Sequence, residues 1–211
     1  MSTIVPAHPT MSVIPSALAL PAAHSFSELY RLTVDQYEQM GRAGILSEND
    51  RVELVEGLLY RKPMKKGAHS IASRETAAAL SRLVPFEVYF VTHEDPVRIP
   101  GRSGMPEPDI SVVRGRSRDF IEQPDAGDVP LIVEVSDKTL AFDRTDKLGS
   151  YAGGGIPVYW IVNLVDRQVE VYTNPDPTGY QSSQVFKPGQ EVPVVIDGTE
   201  VGRIPVSDIL P

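Results

Sequence analysis

With 211 residues, a formal net charge of −8 and no cysteine, the chain is long enough for one domain with a substantial core and too short for two of ordinary size. Disulfides, thiol nucleophiles and zinc–thiolate sites are excluded, which fits a reducing cytoplasm. No apolar run approaches a membrane span, so no membrane partner is expected. The acidic balance opposes broad contact with nucleic acid, so any such contact must come from local basic patches.

Residues 1–25 are rich in Pro, Ala and Ser and lack Lys and Arg, and they read as a disordered leader. The patch VIPSALALPAA imitates a signal peptide, but Pro15 interrupts it and no cation precedes it. Met11 is an alternative start. Residues 26–211 read as a single domain. Thr33 caps a helix running to about Ala43, on which Val34, Tyr37 and Met40 keep a helical period. RVELVEGLLYR (51–61) reads as a hairpin turning near Glu56–Gly57. His69 to Val84 fits an amphipathic helix that Pro85 closes.

A run of strands follows. Phe86–Ile99 alternates in part, and Pro108–Val113 (PDISVV) is short. LIVEVSD (131–137) is almost continuously apolar, the pattern of a strand buried on both faces. Ala141–Ala152 fits a helix stopped by Gly153-Gly154-Gly155. Val158–Leu164 reads as a second buried strand, paired with Gln168–Thr173. Further short strands, including EVPVVI, occupy the remainder. This order predicts an α/β fold, a mixed β-sheet flanked by helices.

Three residues stand out chemically. Glu134 lies inside LIVEV, where an unpaired charge is costly to bury, so it needs a cation, a proton or a metal. On a strand it shares a face with Ile132 and Ser136, opposite Leu131, Val133 and Val135. Asp109 opens a short apolar strand, and if the two strands are neighbours the two carboxylates converge at one sheet end. Paired carboxylates raise each other's pKa unless a cation neutralises them, and Mg²⁺ (or Mn²⁺) suits such oxygen ligands. Lys147 stands four residues after Asp143 on the following helix. By spacing alone that is a surface ion pair. Tyr151 continues the same face and brings it toward the interior. Two basic clusters, one at Arg61, Lys62, Lys65 and Lys66 and one at Arg114, Arg116 and Arg118, read as solvated loops.

Together VELVEG, PDISVV and LIVEVSDKTLAFDRTDKLGSYAGGGIPVYWIVNL resemble the Uma2 family of restriction-endonuclease-like proteins, within the PD-(D/E)xK nuclease superfamily. The resemblance spans about Leu32 to Tyr172. It implies a restriction-endonuclease-like fold and a metal-dependent DNA endonuclease, with Asp109 and Glu134 as metal ligands. The superfamily lysine two residues after the glutamate is absent, since Ser136 stands there. The family pattern supplies a helix-borne lysine instead, which Lys147 matches. Glu56 of VELVEG matches an acidic family position, as a metal or water contact or simply a turn carboxylate. His69 matches a recurrent family histidine, as a proton shuttle, a phosphate contact or a helix-start hydrogen bond. Asp143 is expected to position Lys147, Glu53 to be solvated, and Tyr151 and Trp160 to be core.

Three functions follow: a Mg²⁺-dependent endonuclease acting on DNA, a catalytically inactive module of the same fold binding nucleic acid or a partner protein, and a hydrolase of small phosphate esters. The strands VYWIVNL and QVEVYT and the apolar tail suggest an exposed edge suited to a homodimer.

Overall fold

The computed structural model describes residues 29–65 and 67–211. The expected leader lies outside the described residues. Helix α1 (Val34–Arg42) starts at Thr33, whose side chain accepts from the Gln36 amide while the Gln36 side chain accepts from the Thr33 amide, a reciprocal cap. Strands β1 (Val52–Val55) and β2 (Leu58–Arg61) form the expected hairpin. Its turn residues Glu56 and Gly57 both take positive φ, +51° and +76°, the handedness that two-residue hairpins require. Helix α2 (Gly67–Leu83) follows.

Six strands build the main sheet in the order β3 (Tyr89–His93), β4 (Ile110–Arg114), β5 (Leu131–Ser136), β6 (Val158–Asn163), β7 (Gln168–Asp176) and β8 (Gly179–Phe186). Neighbours are antiparallel except β5 and β6, which are parallel. A parallel pair needs a crossover. It is supplied by α3 (Leu140–Phe142), a π-helical turn (Asp143–Lys147) and α4 (Leu148–Gly153). The hairpin of β9 (Glu191–Ile196) and β10 (Thr199–Pro205) and the short α5 (Val206–Ile209) end the chain.

β5 is buried along its whole length, as its apolar run predicts. Its alternate residues feed two separate cores. Leu131, Val133 and Val135 pack with Leu80 of α2 and with Val192, Val194 and Ile209 of the terminal segment. Ile132 packs on the other side with Tyr151 of α4 and with Tyr159 and Ile161 of β6. Residues 31–211 form one compact unit, and the result is a mixed sheet covered on both faces. Among the described residues no helix is long and apolar enough to cross a membrane.

Three expectations are corrected. The segment 86–99 is a strand only over Tyr89–His93, because Glu94 turns the chain at φ +55° and Pro96 follows. The helix around 141–152 is not uniform. A π turn, which hydrogen-bonds i to i+5, interrupts it at Asp143–Lys147. The β6–β7 pair is not an exposed edge. β7 is paired on its far side by β8, so the sheet edges are β3 and β8. The edge argument for a homodimer falls with it.

Glu170 of β7 fastens the crossover helix to the sheet. It accepts from Arg144 of the π turn at 2.5 and 2.9 Å, from Asn163 at 2.7 Å and from Tyr172 at 2.8 Å. Burial pushes its pKa up, but the donors, Arg144 first, outweigh burial and hold it at about 2, below the ordinary 4.5. A depressed carboxyl contributes stability that is complete above its unfolded value and is lost as pH falls toward its folded value. Glu170→Gln is therefore expected to unfold more easily than wild type at neutral pH, with the gap closing between pH 4.5 and about 2. Denaturation melts across that range check it, and a gap independent of pH would refute it.

Candidate active site

The register of the sheet brings the first two residues together. β4 and β5 pair with Ile110 opposite Val133, so Asp109, one residue before β4, falls level with Glu134. The Asp109 carboxylate reaches across and accepts the Val135 amide at 2.7 Å. Both acids are nearly sealed from solvent, Asp109 at 5% and Glu134 at 4% exposure. They line a cleft of about 660 Å³.

Lys147 enters from the crossover. Steps of four place Asp143, Lys147 and Tyr151 in succession on the inward side of the helical stretch, and all three are buried. Lys147 Nζ donates to Glu134 Oε1 at 2.8 Å and stands 3.1 Å from Glu53 Oε2. The Tyr151 hydroxyl donates to the same Glu134 oxygen at 2.7 Å. Ser136, two residues after Glu134, donates to Asp143 at 2.6 Å, and Thr139 donates to the same oxygen at 2.7 Å. The surface-pair reading of Asp143 and Lys147 is thus corrected. Both are interior, and the lysine's ion pairs are with Glu134 and Glu53.

Glu53 corrects a second expectation. It is 5% exposed, takes the Glu107 amide at 3.0 Å and faces Lys147. VELVEG does deliver a carboxylate to this centre, but it is Glu53. Glu56 lies in the hairpin turn, pairs with Arg102 at 2.9 Å and does not line the cleft. The signal was present: Glu53 lies inside an apolar strand, as Glu134 does. Tyr151 belongs to the core as expected, with its hydroxyl serving Glu134. Trp160 is wholly core.

His69 sits in the first turn of α2 with Nε2 3.2 Å from Asp109 Oδ2. Its Nδ1 is buried with no hydrogen-bond partner among the described residues. Lys65 corrects the solvated-loop reading of its cluster. Its ammonium donates to Asp109 Oδ1 at 2.6 Å and pairs with Glu94 at 2.8 Å. Lys62 pairs with Glu107. In the other cluster Arg114 pairs with Asp197. No sequence period marks Lys65, which a loop carries into the cleft.

The electrostatics follow from burial and count. Burial pushes Asp109 up, but His69 and Lys65 outweigh it and hold the group well below the usual carboxylate range. Glu134 moves up: burial raises it, Lys147 opposes, and Asp109, Asp143 and Glu53 reinforce burial. Burial works against the Lys147 ammonium, yet Glu134, Glu53 and Asp143 raise its pKa above the ordinary value. Lys147 therefore remains an ammonium at neutral pH. Glu53, Asp109, Glu134 and Asp143 crowd four carboxyl groups around the ammoniums of Lys65 and Lys147, which makes the centre rich in oxygen donors.

That donor chemistry suits a hard divalent cation, which prefers oxygen ligands and keeps several waters. Among the described residues no three acidic or histidine side chains form a ready-made metal cage. Asp109 and Glu134 are the residues that would hold such an ion, and Lys65 pairs with Asp109 Oδ1 while His69 and the Val135 amide engage Oδ2.

The fold and this recessed acidic cleft define a restriction-endonuclease-like α/β protein. The chain belongs to the Uma2 family, described as "Putative restriction endonuclease", which it matches over residues 34–204. A crystal structure described as a "putative nuclease belonging to DUF820", from Anabaena variabilis ATCC 29413, has a similar fold. Its TM-score is 0.62 at 20% identity, over 84% of this chain and 97% of that one. No curated protein matches the chain.

A buried carboxyl with a raised pKa binds its proton more tightly folded than unfolded, so it costs stability as pH rises above its unfolded value. Glu134→Gln removes that cost. The variant is expected to gain stability relative to wild type as pH is raised from 5 to ~9, read by thermal melts. A difference that stays flat or shrinks over that range refutes the assignment.

Proposed function

We propose that the chain is a metal-dependent phosphodiesterase acting on DNA, with its centre at Asp109, Glu134 and Lys147. The observation that carries this reading is the Lys147–Glu134 pair. A helix-borne ammonium stands 2.8 Å from the strand carboxylate, which compensates for Ser136 at the usual lysine position.

Asp109 and Glu134 would hold Mg²⁺ or Mn²⁺. Such an ion supplies charge stabilisation at a phosphoryl oxygen and a water of lowered pKa. The remaining work falls to the protein. Lys147, whose pKa is raised by Glu134, Glu53 and Asp143, would offer its hydrogens to a phosphoryl oxygen or to the attacking water. Tyr151 holds Glu134 in place from behind. Glu53 sets the position of Lys147 from the opposite side. His69 and the Val135 amide fix the Asp109 carboxylate. The reaction joins water oxygen to phosphorus and releases the ester oxygen as an alcohol. It depends mainly on positioning and charge.

Purified protein with Mg²⁺ or Mn²⁺ is expected to cleave oligonucleotide and plasmid DNA. Asp109→Asn, Glu134→Gln and Lys147→Ala should each lower the rate by roughly 100-fold or more, the scale of losing one preorganised electrostatic group. Glu56→Gln, outside the cleft, should cut like wild type. Wild-type cleavage left intact by Lys147→Ala would sink the assignment. Metal binding by calorimetry without cleavage would instead favour an inactive module of the same fold.

A further inference from the structure

Two aromatic rings line the cleft near Lys147. The Phe142 ring centroid lies 6.0 Å from Lys147 Nζ. The Tyr60 ring lies 4.6 Å beyond it, tilted by 42°. Tyr60 pairs across the hairpin with Glu53, so the two side chains project from the same face. The register that sends Glu53 to the lysine therefore sends Tyr60 to the cleft wall. Both rings line the cleft and both are partly accessible. Arg61 and Lys138 line the same cleft with exposed side chains beside these rings, while the exposed acids Glu48 and Glu94 also line it.

Aromatic faces beside cations are the chemistry of single-strand binding, where each base stacks on a ring and the backbone follows positive charge. The base faces of an intact duplex are covered by their neighbours, so only an unpaired or extruded base can use such a ring. The carboxylates and Lys147 are also no more than 5% exposed, which places the reacting phosphate inside the cleft. The cleft's volume of about 660 Å³ is that of a small-ligand pocket. The overall charge of −8 further disfavours a broad duplex footprint.

From this geometry we infer that the substrate is single-stranded DNA, or a frayed end or flap, with the base next to the scissile phosphate stacked on Tyr60 and Phe142. This rests on the phosphodiesterase reading above and names its substrate class. Tyr60 is a specificity-determining residue, and Phe142 forms the inner half of the platform.

The test is fluorescence anisotropy of the full chain with Mg²⁺ and cleavage-resistant phosphorothioate oligonucleotides, a thymidine 12-mer against a 12-base-pair duplex. The single strand should bind about tenfold tighter or more. Tyr60→Ala should weaken it by roughly tenfold, the loss of one base stack, and leave duplex affinity unchanged. Tyr60→Trp should restore single-strand binding, which separates stacking from damage to the hairpin. A duplex preference overturns the inference, as does single-strand binding indifferent to Tyr60→Ala. If wild type binds neither form, the nucleic-acid reading fails and this one with it. Calorimetric Mn²⁺ binding in the same sample would then show the metal centre intact.

Discussion

Lys147 is an ammonium sealed inside the protein, and a buried charge survives only if its partners compensate for lost hydration. Glu134 and Glu53 do so at 2.8 and 3.1 Å, with Asp143 adding its field. Each partner comes from a different part of the chain: β1, β5 and the π turn. The charge cluster therefore ties the hairpin and the crossover helix to the central strand of the sheet. A hydrophobic substitute would hold these elements together at lower electrostatic cost. A cluster of buried ionisable groups in a cleft is the kind of place where functional sites are found.

The rest of the architecture serves that placement. Antiparallel pairing of β4 with β5 aligns Asp109 with Glu134. Parallel pairing of β5 with β6 demands a crossover, and the crossover carries Lys147 back over the end of β5. The π turn coincides with Asp143 to Lys147, and Arg144 within it is held to β7 by Glu170. The helix that delivers the lysine is thus anchored at two points, one inside the cleft and one on the neighbouring strand.

Ser136 shows how the centre differs from one whose lysine lies on the strand. With a hydroxyl there, the strand donates a hydrogen bond to Asp143 at 2.6 Å. The cation then arrives from the helix. Lys65 and His69 form a second group around Asp109, whose two carboxylate oxygens both have protein partners, while Lys147 and Tyr151 share one oxygen of Glu134.

By itself the sequence determined the two-sided burial of β5, the hairpin turn at Glu56–Gly57, the cap at Thr33 and the anomaly of Glu134, because each follows from local period, backbone handedness or the cost of an isolated charge. It also carried the family resemblance that singled out Lys147. Only the tertiary structure decided which carboxylates meet. Glu53 and Glu56 look alike in VELVEG, and the hairpin's orientation against the sheet sends one inward and leaves the other to Arg102. Lys65 was illegible for the same reason: a loop lysine has no period, and its buried partner Asp109 lies 44 residues away. The surface edge read into β6 and β7 failed because β8, a polar and weakly patterned strand, covers it. Local patterns report the free-energy cost of exposing or burying a residue, while partners across the fold are set by topology.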